Sequence, residues 1–352
     1  MLAHGSHFLN PGKDWDLLLN KFSSLGLGDI YFDHRYLNLY ADQKSSSLPE
    51  AFVFCEGVNT FFLPYIKKPV LGEEGLWDFE TAYGYSGPLS NTEDKEFLHE
   101  SWKSFLECTK NRGFIAGLIR FNPLLDNHKF CSPISLKSIS ERQTVWLDCE
   151  RTLDDVLGDY SKSHLKILRA LEKKGTHVKY SSNQDFIEKF REIYLHRMNK
   201  LDAREEYLFS EEYFKKIQFM DKDNWRVYLA YSPDGKVIGG CLLLFSHGCC
   251  HYHLSGSQSE YLKYRPNDVL RHNVIKDMIN SKVNKIHFGG GRTNDPHDSL
   301  LQFKLKFSKQ ILKFRVGYCL IDEENYLKVC KKWSENNPEK SIYEHFFLKY
   351  RY

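Results

Sequence analysis

The stretch Lys285 to Phe307, KIHFGGGRTNDPHDSLLQFKLKF, concentrates residue types that could do chemistry at the end of a strand. Ile286, His287 and Phe288 read as a buried strand that ends on three glycines, and glycine lets backbone approach a ligand closely. A polar loop then carries Arg292, Asn294, Asp295, His297 and Asp298 into an amphipathic segment that holds Lys304. A strand edge can align a substrate, a cation can meet developing negative charge, and a carboxylate can accept a proton. Cys250 to Gly256, with Tyr252 and Ser255, is the candidate edge. Lys304 is a candidate cation, and Arg292, Asp295 and Asp298 are candidates to hold an anion or act as base. Spacing alone also fits Lys304 as a solvated lysine, as expected for Lys306 and Lys309.

Other chemistries lack their signatures. The glycines match neither GxxxxGK followed by Ser or Thr nor GxGxxG, so neither a phosphate-binding loop nor a dinucleotide fingerprint is present. His247, Cys249, His251 and His253 would share one face of a continuous strand, but Gly248 is expected to turn the chain and break that set, so no metal site is expected. No Ser-His-Asp or Cys-His nucleophile stands out, so no covalent enzyme intermediate is expected. Lys162, Lys166, Arg169 and Lys173, spaced 4, 3 and 4 apart, share a helix face that fits phosphates of tRNA or of a nucleotide-linked acceptor. A plain solvated face is the stronger fit, because Leu165, Leu168 and Leu171 supply an apolar side that turns the charges outward in any case. Tyr83 and Tyr85 flank a glycine in a loop and suit stacking on a sugar or base, or simple packing in a turn.

Length and composition bound the rest. The 352 residues suffice for about two domains. With 41% hydrophobic and 27% charged residues the chain reads as an ordinary globular protein, and no apolar run approaches a membrane span. A formal charge of +3 permits an anionic partner, or peripheral contact with a membrane, without demanding either; DNA is not expected. Nine cysteines without CxxC spacing, and no secretory h-region, point to the cytoplasm.

The elements that must position these groups follow from periodicity. Helical spacing over Asp14 to Phe22 and His34 to Tyr40 precedes strands at Ala51–Cys55, Asn59–Ile66 and Leu76–Thr81, a helix over Glu93 to Lys110 capped at Asn91 or Thr92, and strands at Phe114–Phe121 and Gln143–Asp148. The second half opens with one helix or a broken pair over Thr152 to Lys174 and a strand to Ser181. Helices capped by Ser182 and Ser210 follow, then a three-strand meander over Trp225–Tyr231, Lys236–Phe245 and Cys250–Gly256, and a helix from Pro266 to about Ser281. Both halves share an order of elements, which predicts an α/β (α+β type) protein of two domains, each a mixed, mostly antiparallel sheet flanked by helices. The expected boundaries are 1–148, with helices of 322–352 packing back on it, and 149–321.

That order resembles the GNAT acyltransferase fold. Tyr83-Gly84-Tyr85-Ser86-Gly87-Pro88, Ser161 with Leu165 running into Arg169-Ala170 and Lys174-Gly175, the segment Tyr194 to Phe209, Phe288-Gly289-Gly290-Gly291, and Phe303-Lys304 with Phe307 together resemble the FemABX-like family. Its members are tandem GNAT-like domains, and the named ones transfer amino acids from aminoacyl-tRNA onto peptidoglycan precursors. The resemblance implies an acyltransferase acting on an envelope sugar or peptide precursor or a small molecule. The donor would be aminoacyl-tRNA or an acyl thioester such as acyl-CoA, with no tightly bound cofactor. By the same resemblance Lys304 acts at the reacting carbonyl, and Tyr83, Tyr85, Arg204, Tyr207, Tyr252, Ser255, Lys162, Lys166 and Arg169 contact substrate. Two departures qualify it: the long helical arm of several peptidoglycan-bridge members is missing, and Gln258 to Asp268 lacks the glycines of a GNAT pyrophosphate loop, which disfavours a standard CoA site.

Overall fold

The structure is a computed structural model that describes residues 2–41, 46–204, 207–281 and 283–352. They divide into two compact units, residues 1–141 with 314–352 and residues 142–313. The division falls inside two strands, some residues before the 148/149 and 321/322 boundaries read from the sequence.

The first unit contains β1 (Gly5–Leu9), α1 (Lys13–Ser24), α2 (His34–Leu37), β2 (Leu48–Glu56), β3 (Asn59–Pro69), β4 (Trp77–Glu80), β5 (Leu89–Ser90), α3 (Lys95–Asn111) and β6 (Phe114–Arg120). β1 was missed by periodicity because GSHFL is short; it pairs antiparallel with Ala51–Cys55. β2, β3 and β4 form an antiparallel meander, and β6 returns through α3 to lie parallel to β4. Neighbouring residues of β3 point to opposite faces, so Phe61 meets Trp102 of α3 while Phe62 meets Trp15 and Phe22 of α1. Burying both faces explains the nearly unbroken apolar runs of β2 and β3. Asp94, not Asn91 or Thr92, caps α3 by accepting from the Phe97 N–H.

The second unit takes in the end of β7 (Ser138–Asp148), then α4 (Leu153–Gly158), α5 (Lys162–Lys173), β8 (His177–Ser181), α6 (Gln184–Lys200), α7 (Glu211–Gln218), β9 (Trp225–Tyr231), β10 (Val237–Ser246), β11 (Cys249–Ser257), α8 (Pro266–Ile279), β12 (Lys285–Gly290) and α9 (Ser299–Lys304). Its strands run in the order β7-β12-β11-β10-β9-β8, antiparallel except where β12 lies parallel to β11. His247 and Gly248 both take left-handed backbone, the two-residue turn that matches strand twist in a hairpin, and this joins β10 to β11. The turn removes His247 from the strand, as Gly248 suggested. α6 packs on one face of the sheet because Gly256 is bare: a Cβ there would stand 3.0 Å from the Tyr194 Cα. α8 covers the other face with Leu270, Val274, Ile275 and Met278. Asn183, not Ser182, caps α6. β13 (Gln310–Leu320) then leads back to the first unit, where it pairs with β6, and α10 (Glu323–Asn336) buries Val329, Cys330 and Trp333 with Ile115 and Ala116.

Candidate active site

The parallel pairing of β11 with β12 is short. It covers Cys249–Lys285, Cys250–Ile286 and His251–His287 and then stops. From Tyr252 onward, among the described residues, β11 has a strand neighbour only on the β10 side. Backbone N–H and C=O groups there have no strand partner on the β12 side among the described residues, an edge of the kind that can align a donor carbonyl. A bulge between Leu242 and Leu243 lets β11 carry His253 as an extra residue. Tyr252, opposite Leu243, and Ser255, opposite Cys241, consequently share the α8 face despite their three-residue spacing.

Lys304 ends α9 and reaches back to the end of β12. Its Nζ donates to the Gly290 carbonyl at 2.6 Å, where β12 runs into the glycines. The side chain is not the solvated lysine that spacing allowed: Lys304 is 8% exposed. Among the described residues it forms no ion pair. Burial first, and then the nearby Arg271 charge, push its ammonium down to about 7, against a smaller upward pull from Asp298. Both protonation states are therefore accessible near neutrality.

Asp298 does not fit the base role expected of it. Its carboxylate caps α9, with Oδ1 accepting from the Leu300 and Leu301 N–H groups at 2.9 and 3.0 Å and Oδ2 accepting from Arg292 and Thr293 N–H. Burial opposes ionisation, but those backbone donors hold it below the usual carboxylate range. A carboxylate so fully engaged is a poor proton acceptor. It instead pins the loop after Gly291 to the start of α9, and a Cβ on Gly291 would come 2.6 Å from its Oδ1. Arg292 is carried by the same turn with its side chain exposed. Asp295 caps a local turn through the His297 N–H.

Tyr252 also departs from expectation. It is buried in the core, its ring 4.4 Å from the Arg271 guanidinium carbon, so it supports a buried cation and does not face solvent. Arg271 was missed by the sequence reading. The clue was a charged residue at a buried position of α8, in line with Val274, Ile275 and Met278. On the α6 side of the sheet lie His251 and His287, with ring centroids 5.7 Å apart, and His253, whose Nε2 pairs with the Tyr213 hydroxyl at 2.8 Å. Burial, with His251 adding to it, pushes His253 down to about 3, so it stays neutral. Among the described residues no group of three or more His, Cys, Asp or Glu is placed to hold a metal ion.

The remaining candidates fall elsewhere. Arg204 lies 5.8 Å from the Tyr207 ring, and the Tyr207 carbonyl accepts from the Tyr194 hydroxyl. Residues 205–206 of that motif lie outside the described residues. Lys162, Lys166, Arg169 and Lys173 are all exposed on α5 and form no ion pair among the described residues. Beneath them His164 is buried and donates from Nε2 to Asp268 Oδ1 at 3.0 Å, the oxygen that also receives Arg265 Nη2. Arg265, in left-handed backbone, takes the turn before α8 where glycine would be usual. A cavity of about 290 Å³ lined by Leu262, Arg265, Pro266, Asn267, Asp268 and Phe303 opens at this helix start. The Asp268 carboxylate, held by His164 and Arg265, puts negative charge into the first turn of α8, where a pyrophosphate would have to meet the helix dipole. In the first unit, Tyr85 packs edge-on against Tyr31 and Phe314, and Tyr83 leans on Tyr40. Gly84 between them is obligatory, since at a φ of 110° a Cβ would stand 2.2 Å from the Tyr31 ring.

Comparison with known proteins agrees with this architecture. Residues 162–299 match the acetyltransferase (GNAT) domain family, so the second unit carries a GNAT domain. The whole chain resembles the crystal structure of FemX with a TM-score of 0.68 at 14% identity, over 92% of this chain and 99% of that one. It resembles L-PGS from Bacillus licheniformis with a TM-score of 0.55 at 12% identity, over 89% of this chain and 93% of that one. No curated protein matches the sequence. Among the described residues no helix is long and apolar enough to cross a membrane.

Proposed function

We propose that this chain is a cytoplasmic acyltransferase that moves an aminoacyl or acyl group onto an amine or hydroxyl of a cell-envelope sugar or peptide precursor. The observation that carries the reading is Lys304, a buried amine without an ionic partner among the described residues, held on the Gly290 carbonyl where β11 and β12 part. An unpaired buried amine is costly, and such costs are kept where they do chemistry.

In the proposed reaction the donor carbonyl lies along the open edge of β11. The acceptor nitrogen or oxygen attacks the carbonyl carbon; a C–N or C–O bond forms, and the bond from that carbon to the donor's oxygen or sulfur breaks. Neutral Lys304 takes the acceptor's proton, and the resulting ammonium stabilises the oxyanion and returns the proton to the leaving atom. No covalent enzyme intermediate is required. The cationic face of α5 suits a phosphate-bearing substrate, tRNA among them.

The GNAT match favours a second reading, acyl transfer from acyl-CoA to a small molecule, whereas the carboxylate of Asp268 at the start of α8 disfavours the usual pyrophosphate site. Native mass spectrometry with CoA, acyl-CoA and aminoacyl-tRNA, followed by transfer assays with whatever binds, separates the two. Binding of none of these donors would remove the acyl-transfer reading.

A further inference from the structure

Arg271 projects from α8 into the core and is 3% exposed. Its guanidinium carbon lies 4.4 Å from the Tyr252 ring, 4.8 Å from Phe303, and 5.4 Å from both Phe288 and Phe307. Among the described residues no carboxylate pairs with it, and its Nε and Nη1 are buried without a hydrogen-bond partner. The electron-rich ring faces take the place of a counter-ion. Three of those rings belong to the machinery around Lys304. Phe303 precedes it in α9, Phe307 follows three residues later, and Phe288 lies two residues before Gly290, whose carbonyl holds the amine. Arg271 therefore grips the elements that fix Lys304 while presenting it with a like charge.

Two buried like charges without a shared carboxylate cannot both persist comfortably. Arginine keeps its proton under ordinary conditions and lysine can release one, so the lysine yields. We propose that Arg271 is a positioning residue that acts through Lys304, its ring-enclosed charge keeping the amine available as a proton acceptor; this rests on the acyl-transfer reading of the site. The other groups facing Lys304 are Asp298 at the start of α9, which pulls the other way, and His287 on β12, which burial, His251 and Lys304 itself keep neutral. After burial itself, Arg271 is thus the cation that holds the amine down.

The test needs no substrate. Protein labelled with [ε-13C]lysine is titrated by NMR, with the Lys304 signal identified by its loss in Lys304→Met. The wild-type midpoint is expected near 7. Arg271→Met, which keeps volume among the rings but not charge, should raise it by about one unit or more. Arg271→Lys, which keeps the charge, should leave it close to wild type. Arg271→Gln replaces the methionine variant if that fails to fold, as judged by circular dichroism. An unmoved midpoint in a folded neutral variant, or an equal rise in Arg271→Lys, overturns the role of Arg271. The pH dependence of transfer should follow, shifting to alkaline pH in Arg271→Met. If the titration behaves as expected but Lys304→Met transfers normally, the acyl-transfer reading of Lys304 fails and the electrostatic coupling stands. If Lys304→Met is inactive and the titration does not move, only the role of Arg271 fails.

Discussion

Each unit carries a meander strand through a helix to a parallel neighbour, and the two units treat that parallel pair in opposite ways. β4 and β6 pair from Trp77–Phe114 to Glu80–Leu118, and the contact continues as the Thr81 N–H donates to the Leu118 carbonyl and the Ser86 N–H to that of Arg120. Charges near this seam are matched. Glu80 binds Lys68 at 3.0 Å and Arg120 at 2.9 Å, and Asp78 accepts from Arg351 Nε at 2.8 Å. Burial raises Asp78 against the pull of Arg351, whereas at Glu80 the two cations outweigh burial and hold the carboxyl far below its usual value. β11 and β12 part after three pairs, and the buried cations beside them, Lys304 and Arg271, have no carboxylate bonded to them among the described residues. The same local topology is thus closed and neutralised in one unit, open and electrostatically strained in the other. Under the proposed function, strain of that kind is what a seam that gives up stability for chemistry would carry.

The largest expected effect on stability lies in the closed seam. Glu80→Gln leaves Lys68 and Arg120 without their shared carboxylate and should cost on the order of 3 kcal/mol in denaturant unfolding. Because the folded carboxyl sits below its unfolded value of about 4.3, its stabilisation is complete above that pH and fades as pH falls through the folded value. The difference between wild type and Glu80→Gln should therefore shrink in acid, and a pH-independent difference would argue against the ion cluster as its source.

At the open seam the sign reverses. Lys304→Met removes a buried amine and should leave the thermal midpoint at pH 7 unchanged or a few degrees higher. The folded amine titrates near 7 and an unfolded lysine near 10.5, so between these values the unfolded chain binds more protons and wild-type stability rises with pH. Wild type should close the gap to the methionine variant over that window. Stability curves that stay parallel would remove the strain from this side of the comparison.

The smallest effect concerns the exposed cations of α5. Lys162→Glu with Lys166→Glu should weaken binding of a phosphate-bearing substrate by up to about tenfold at low salt, an effect that fades as salt rises, and leave folding intact. Equal affinity at low salt returns that face to simple solvation.

Much of this contrast could be read from the sequence, and its decisive part could not. The meander, the turn at Gly248 and the glycines after Phe288 follow from local periodicity and backbone freedom, so they were legible. Lys304 was singled out by its segment, but its burial depends on where α9 folds against β12, which spacing cannot give. Asp298 was misread because a loop carboxylate and a helix cap look alike until the N–H groups it receives are known. Arg271 sat in an otherwise apolar helix face, and only the tertiary convergence of four rings explains how a charge is kept there.

The proposed function requires that the buried amine of Lys304 act on the reacting carbonyl. Single-turnover transfer by wild type and Lys304→Met, with a donor shown to bind, tests it most directly. A transition-state contact should cost on the order of 100-fold in rate while donor affinity changes little. Wild-type rates in the methionine variant would contradict the account and remove Lys304 from the site.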